Sequence, residues 1–418
     1  MLKLEKGEGI SSSFSQLPKF ITTSTIGVAI TAVLFGEGPI FILLKAASEA
    51  KLPNNIAISW LAVVFLMGGL LTLLMSLYYR QPIYVAFSIP AVVLIGSALT
   101  RYPFSDVIGA VLLAGIIVLL IGISGLFKIA IRYVPMPIIQ GMIAGTLVSY
   151  GIATITALPK APVVAGSTLI AFLLLSIYPA LAKKFPPVLG ALVIGFIIAV
   201  MTKNVNVGDI SFRLSSLTFV APTFNLRTIM ELAIPLAILS IGFGNVQALG
   251  ILSSQGYTPP TNAFVAISGL GTIFNSFFGG HTAVIAGPSI AICAGAEVGP
   301  KEGRYAATFI AGILSLVMGL IAPIAITFTK AVPGPFIDVL AGVAMFSVLV
   351  NTFAQAFGAN FRLGALFALL ISMSKITVWN IGAPFWAIIG GTVISLLMEN
   401  SDYRNMVAAL KTNREISR

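Results

Sequence analysis

Glu37 is the acidic residue that lies deepest within a long apolar run of this sequence. Ionisable side chains are costly in such surroundings, so each one is a candidate functional residue. Flanking glycines and Pro39 predict a locally opened helix around Glu37. We predict that this carboxyl group binds and releases a proton. The alternative is a hydrogen-bonded acid that only stabilises a broken helix.

His281 is the single histidine of the chain. It precedes Pro288 by an extended stretch that would place it roughly 20 Å from the helix starting at that proline. The spacing therefore predicts a position near a membrane face or a gate, either as a second proton carrier or as a hydrogen-bonded structural histidine. With one histidine and one cysteine, Cys293, a His/Cys metal cluster is excluded, and we expect no metal and no cofactor.

Two proline-interrupted segments, 84–90 and 281–289, are candidates for a binding site. Each has an extended stretch rich in β-formers and then a proline, which suits the first turn of a helix. Two half-helices whose N-termini face each other would offer free N–H groups and positive dipole ends to an anion or a carbonyl-rich ligand. The alternative is a pair of proline-kinked structural helices.

Polar and aromatic side chains complete the predicted substrate site. Asn245 and Gln247 offer neutral donors and acceptors, although they could instead bond one helix to another. Phe87 and Phe243 could sandwich an aromatic ring, although ordinary packing is the commoner role. The serines at the half-helix starts could cap them or share their N–H groups with a ligand. The predicted substrate-binding residues are Phe87, Ser88, Ile89, Pro90, Phe243, Asn245, Gln247, Ala286, Gly287, Pro288 and Ser289.

The composition requires a membrane around these residues. Of 418 residues, 58% are hydrophobic and 9% are charged, against about 25% charged in a soluble domain. This excludes an ordinary soluble enzyme, a disordered chain and a disulfide scaffold. The net charge of +11 could suggest nucleic acid, but basic residues flanking membrane spans explain it better, so we expect the lipid bilayer and no nucleic acid as partner.

The apolar runs predict an all-α polytopic membrane protein with about fourteen spans. The runs are 20–44, 54–78, 84–99, 105–127, 136–156, 163–183, 186–202, 228–250, 261–278, 283–296, 304–328, 334–355, 361–378 and 383–399. With alternating spans, Lys and Arg fall mostly on the side of the N-terminus, which predicts an inner or plasma membrane protein with both termini cytoplasmic. Glu231 and Asp338 lie near span ends and are expected to be solvated or to cap helices.

The two halves of the chain repeat each other at a nearly constant offset. Pro90 matches Pro288, and the other matches are Ala114-Gly115-Ile116 with Ala311-Gly312-Ile313, Gly122 with Gly319, Val134-Pro135 with Val332-Pro333, and Ala144-Gly145 with Ala341-Gly342. An odd number of spans per repeat, about seven, gives the repeats opposite topology, as in many secondary transporters. The predicted division is a first repeat over 20–203, a linker over 204–227 and a second repeat over 228–400.

Several motifs resemble the benzoate/proton symporter (BenE-like) family over nearly the whole chain. They are Ala86–Pro90, Asn245–Leu249, Gly256–Pro260, Gly279-Gly280-His281-Thr282, Ala291–Glu297 and Gly303-Arg304-Tyr305. The family is similar to the nucleobase/ascorbate transporters, whose acidic residues in spans 8 and 10 are replaced here by Phe243, Asn245 and Pro288-Ser289. This chain also departs from the benzoate family pattern: where the family usually has Asn-Leu-Ala-Ala-Ile-Thr, the chain has Val284–Ser289.

The resemblance implies a core domain (20–127 and 228–328) that holds the substrate and a gate domain (136–202 and 334–399) that forms a homodimer. It also implies an elevator-like movement of core against gate. The resulting prediction is proton-coupled symport of a small organic anion, most simply an aromatic carboxylate such as benzoate. The alternatives are a nucleobase-type or inorganic-anion carrier on the same fold, a channel, or a membrane-embedded enzyme, for which no catalytic constellation is visible.

Overall fold

A computed structural model of the chain describes residues 4–37, 39–127, 135–178, 186–205, 213–358 and 360–404, with the backbone alone at 35, 37 and 243. Up to residue 205 its elements are α1 (Ile10–Gln16), α2 (Thr23–Glu37), α3 (Ile40–Glu49), α4 (Asn54–Tyr79), β1 (Val85–Phe87), α5 (Ile89–Ala98), α6 (Phe104–Ser124), α7 (Met136–Ala157), α8 (Pro162–Ile177) and α9 (Pro187–Met201). Parts of the predicted run 163–183 and of the linker 204–227 lie outside the described residues.

The later part of the chain is also mostly helical. Its elements are α10 (Leu226–Ser254), α11 (Thr261–Phe277), β2 (Ala283–Ile285), α12 (Gly287–Cys293), α13 (Tyr305–Leu320), α14 (Ala322–Ala331), α15 (Gly334–Phe357), α16 (Arg362–Ser374), β3 (Thr377–Val378), β4 (Ile381–Gly382) and α17 (Ala383–Met398). Helix α10 contains π-helical stretches over Ile229–Ala233 and Ser240–Asn245. The α-helical class of the prediction is therefore confirmed.

Six of the described helices are long and apolar enough to cross a membrane, and a seventh span is possible if the bent pair Ile10–Phe20 and Thr23–Leu34 counts as one. The six are α4, α6, α7, α10, the segment Lys301–Leu320 that contains α13, and α15. This makes the chain a multi-pass membrane protein. The count of about fourteen spans stays a prediction, because it also includes segments such as α5 and α12, whose helices are too short to cross alone.

Strands β1 and β2 pair antiparallel, with Val85 opposite Ile285, Ala86 opposite Val284 and Phe87 opposite Ala283. Each strand leads into a helix, α5 or α12, with a proline in its first turn. Threonines on two neighbouring helices accept hydrogen bonds from the backbone of the strands. Thr72 Oγ1 accepts from Val85 N at 2.8 Å, and Thr272 Oγ1 accepts from Ala283 N at 3.0 Å. These N–H groups of the extended segments therefore have hydrogen-bond partners inside an apolar protein.

Paired glycines bring the helices around these strands into backbone contact. A Cβ atom placed on Gly69 of α4 would lie 2.6 Å from the carbonyl oxygen of Gly312 on α13. A Cβ atom on Gly269 of α11 would lie 2.8 Å from the carbonyl oxygen of Gly115 on α6. Gly115 and Gly312 are matched residues of the sequence repeat. Both helix pairs therefore pack closely through glycines at their contact.

A second group of helices packs on itself through similar contacts. Helix α7 contacts α15 and α16, α16 contacts α17, and α8 contacts α9 and α15. A Cβ atom on Gly364 of α16 would lie 2.7 Å from the carbonyl oxygen of Gly391 on α17. These helices lie within the range predicted to form the gate domain, and their independent movement stays a prediction.

Candidate functional site

The two half-helices begin beside the paired strands and on opposite ends of them. Ser88 N, just before α5, donates to Thr282 O at 3.0 Å, and Ala286 N, just before α12, donates to Tyr84 O at 2.9 Å. Neither helix start receives a side-chain cap among the described residues. The first-turn N–H groups therefore keep the capacity to bind a ligand.

The predicted serines do not act as caps. Ser88 is buried and makes no capping hydrogen bond to α5. Ser289 is fully buried, and its hydroxyl donates to the carbonyl oxygen of Ala32 on α2 at 3.3 Å. The capping interpretation of both serines is thus wrong. Because Pro90 and Pro288 occupy the first turns, fewer N–H groups need a partner there.

Asn245 and Gln247 have different surroundings. Asn245 Oδ1 accepts from Ile285 N and from Ser268 Oγ, each at 3.1 Å, so this amide holds β2 to α10 and α11. Its buried Nδ2 has no hydrogen-bond partner among the described residues. Gln247 lies over Gly287, where a Cβ atom would be 2.8 Å from Gln247 Cγ. Gln247 is partly exposed and is the better placed of the two to meet a ligand at the start of α12.

His281 is buried beside the other half-helix. Trp60 Nε1 donates to His281 Nδ1 at 2.9 Å, and the imidazole centroid lies 5.5 Å from that of Phe87. As an acceptor at Nδ1 the ring is neutral and carries its proton at Nε2, on the side of the Ser88 backbone. Antiparallel pairing returns the segment before β2 to the start of α5, which the spacing from Pro288 did not indicate. A position of His281 near a membrane face or a gate stays a prediction.

Glu37 ends helix α2, and its side chain lies outside the described part of the structure. Its neighbour Gly36 is placed so close to the Ser289 hydroxyl that a Cβ atom at Gly36 would clash with it. The end of α2 therefore packs against the start of α12. The side chain of Phe243 is likewise not described, so the aromatic sandwich with Phe87 stays a prediction.

Glu231 is a residue whose surroundings the sequence did not reveal. It is 1% exposed and accepts from Tyr102 Oη at 2.9 Å, from Gly382 N at 2.6 Å and from Arg101. The expectation that Glu231 is solvated is therefore wrong, whereas its bond to Gly382 N does lie at the start of helix α17. A signal was present in the predicted topology, which places Arg101 and the start of the 228–250 run on the same side of the membrane.

A cavity of about 380 Å³ lies next to these charged residues, between α3 and α5 on one side and α7, α16 and α17 on the other. Its lining includes the cations Lys45, Arg101 and Lys375, the phenol of Tyr150 and the hydroxyl of Ser149. Among the described residues, no group of histidine, cysteine, aspartate and glutamate could hold a metal ion.

Comparison with known families places this arrangement among membrane transport proteins. Residues 19–397 match the family model described as the benzoate membrane transport protein, BenE. The inner membrane protein YdcO of Escherichia coli (strain K12) is 28% identical over 390 residues, which cover 92% of this chain and 99% of that protein. The benzoate membrane transport protein of Acinetobacter baylyi is 24% identical over 381 residues, which cover 90% of this chain and 95% of that protein.

Solved structures share the fold. The transmembrane domain of the cyanobacterial bicarbonate transporter BicA superposes with a TM-score of 0.62 at 18% identity, over 88% of this chain and 97% of that one. The structure of SLC26A9 superposes with a TM-score of 0.63 at 16% identity, over 92% of this chain and 67% of that one. These likenesses concern the architecture of the chain.

Proposed function

Because the chain belongs to the benzoate membrane transport (BenE) family, we propose that it carries a small aromatic carboxylate, such as benzoate, together with protons. Family and structural neighbours make it a membrane transporter and not an enzyme. The proposed mechanism is an elevator movement of the core domain against a dimeric gate domain, in the cell membrane and with both termini cytoplasmic.

The observation that carries the proposal is the pair of uncapped helix starts at β1 and β2. A carboxylate needs hydrogen-bond donors and positive potential, and two helix N-termini supply both without a fixed cation. Gln247 adds an amide beside Gly287, and the buried Phe87 ring offers an apolar surface. An aromatic carboxylate has matching polar and apolar parts.

The proposed architecture is about fourteen spans in two inverted repeats. The strand register supports it, because Ala86 and Val284 are matched by the sequence repeat and also face each other in the sheet. A local two-fold axis through that pair would exchange β1 with β2. The equivalent glycine contacts of α4 with α13 and of α11 with α6 support the same relation.

Coupling to protons is proposed to use Glu37, with His281 as the second candidate. Gly36 packs on Ser289, so the backbone of Glu37 lies close to the start of α12. An ionised carboxylate there would repel benzoate, whereas a protonated one could donate a hydrogen bond to it. Proton and substrate would therefore bind together, which is the requirement for symport.

Uptake by purified protein in proteoliposomes tests the substrate and the coupling together. We expect radiolabelled benzoate to accumulate when the exterior is made acidic, and expect uracil and sulfate to give no accumulation. Empty liposomes control for passive entry of benzoic acid. Uptake of uracil or of sulfate in place of benzoate would support one of the rival carriers on this fold, and downhill flux that never exceeds equilibrium would support a channel.

A further inference from the structure

Polar contacts join the predicted core and gate domains at the end of the bundle where α3 and α5 terminate. Lys45 Nζ of the core lies 2.5 Å from Asp338 Oδ1 of the gate. Glu231 of the core accepts from Gly382 N of the gate at 2.6 Å, and the single hydroxyl hydrogen of Tyr102 of the core is shared between Glu231 and Asn380 O of the gate. Three contacts at one end restrain the same relative movement.

Glu231 is the centre of the larger cluster. Its carboxylate also pairs with Arg101, so one buried group connects the end of α5, the start of α10 and the β3–β4 hairpin. A buried carboxylate is stable only while its donors stay in place. Movement of the hairpin away from Glu231 would take the Gly382 N–H away from the carboxylate. It would also separate Asn380 of the hairpin from Tyr102, whose hydroxyl contacts Glu231.

The Lys45 contact lies on another pair of elements. It joins α3 to the first turns of α15, and the same ammonium lies 3.7 Å from Glu49 and 5.5 Å from the centroid of the Tyr150 ring. Asp338 and Lys45 are both mostly shielded from solvent. Removing one partner of a shielded pair leaves the other charge uncompensated, which costs more than the same change on an open surface.

Both clusters border the cavity described above. Lys45 and Arg101 form part of its lining on the core side, and Lys375 and Pro384 form part of its lining on the gate side. A cavity between two bodies that slide against each other changes its access when they move. The contacts across it therefore lie where access from this face would be controlled.

We propose that Glu231 and Asp338 are positioning residues of the transport cycle, which hold the gate domain against the core domain and limit how far this cavity opens. The proposal rests on the proposed elevator movement. Each cycle then includes a step in which Glu231 loses its bond to Gly382 and Asp338 loses Lys45. Neutralising either carboxylate shifts the population towards the open form of this face.

Thiol accessibility measures that population without any substrate. Ser149 lines the cavity and is partly buried, so Ser149→Cys provides a reporter for a charged, impermeant thiol reagent on purified protein. We expect Glu231→Gln and Asp338→Asn each to raise the labelling rate about tenfold, the scale set by losing a charge-assisted hydrogen bond. The double variant is expected to label faster than either.

Two controls separate this role from general loosening. Glu399 also accepts backbone hydrogen bonds, from Leu363 N at 2.7 Å and Gly364 N at 3.0 Å, but all three residues belong to the gate domain. Glu399→Gln should therefore leave the Ser149→Cys rate unchanged. The native Cys293 is fully buried and should stay unlabelled in every variant.

An unchanged reporter rate in both variants would overturn the proposal. An equal rise in Glu399→Gln, or simultaneous labelling of Cys293, would also overturn it by showing unspecific loosening. Because labelling is measured without substrate, failure of the benzoate uptake experiment leaves this result intact. Failure of the labelling experiment likewise leaves the uptake result intact.

Discussion

The half-helix site and the charged contacts between core and gate consist of different chemical groups. The site uses backbone N–H groups, helix ends and the close approach of Gly287 to Gln247. The charged contacts use groups that are far apart in sequence, such as Glu231 with Gly382 N and Asp338 with Lys45. Helix starts and close backbone approaches can be recognised from local glycine and proline patterns, whereas contacts between remote residues can hardly be recognised from the sequence.

The difference also bears on energetics. Helix ends present donors in a fixed geometry, so a ligand that binds there need not order flexible groups. The charged pairs hold only while two bodies stay together, and their loss is compensated when the groups become hydrated. A binding site needs donors in a fixed geometry, and a contact that breaks in each cycle needs partners that water can hydrate. Changes at the two regions should accordingly affect different measurements.

The largest effect on binding is expected from Gly287→Val. The new side chain would occupy the space next to Gln247 Cγ, which is 2.8 Å from the position of a Cβ atom. We expect more than a tenfold loss of benzoate affinity, measured as ligand-dependent thermal stabilisation of purified protein. Gly250→Val is the matched control on α10, because a Cβ atom at Gly250 meets nothing within 4 Å. Normal stabilisation of Gly287→Val by benzoate would place the site elsewhere.

Glu37→Gln should separate coupling from binding. The amide cannot ionise, so pH-driven accumulation of benzoate should be lost while exchange of internal for external benzoate continues. Flux assays in proteoliposomes with and without a pH gradient measure both. Glu302 is exposed in a short 3₁₀ helix (Lys301–Gly303), and Glu302→Gln should behave as the parent protein does. Accumulation with an ordinary pH dependence in Glu37→Gln would exclude Glu37 and leave His281 as the candidate.

Smaller and equal effects are expected from Gly69→Ala and Gly269→Ala. Each methyl group would press on backbone atoms of the facing helix: at Gly69 on Gly312 O at 2.6 Å, and at Gly269 on Leu119 N at 2.3 Å and Gly115 O at 2.8 Å. Overpacking of this kind costs about 1–3 kcal/mol of stability. Thermal unfolding should show similar decreases for both variants, because the two contacts are equivalent in the proposed repeat.

The control for these alanines is Gly27→Ala on α2, where a Cβ atom meets nothing within 4 Å. That change should be neutral or stabilising by about 0.5–1 kcal/mol, because alanine favours a helix over glycine. Strongly unequal effects of Gly69→Ala and Gly269→Ala would argue against a two-fold relation between the halves.

Local patterns predicted the broken segments well. β-Branched residues followed by Pro90 and Pro288 correctly indicated a strand and then a helix at both places. The pairing of these strands was not predicted, and neither was the contact of His281 with Phe87 at the start of α5. Distance along an extended chain says nothing about which element the chain returns to.

The charged cluster escaped prediction for another reason. Glu231 lies near a helix end, where an acidic residue is ordinarily solvated, and its burial depends on the hairpin that contributes Gly382. Such contacts depend on how the halves of the molecule are stacked. The position of α2 against α12 through Gly36 and Ser289 is a contact of the same kind.

The strand register has a consequence for the origin of the molecule. Ala86 faces Val284, its own counterpart in the repeat, and Val85 faces Ile285 as Phe87 faces Ala283. Two copies of a half-length chain inserted in opposite orientations would pair the same strand with itself in this register. Duplication and fusion of such an ancestral gene would keep every hydrogen bond of the sheet, and under the proposed inverted repeat the paired strands would mark the interface of that former dimer.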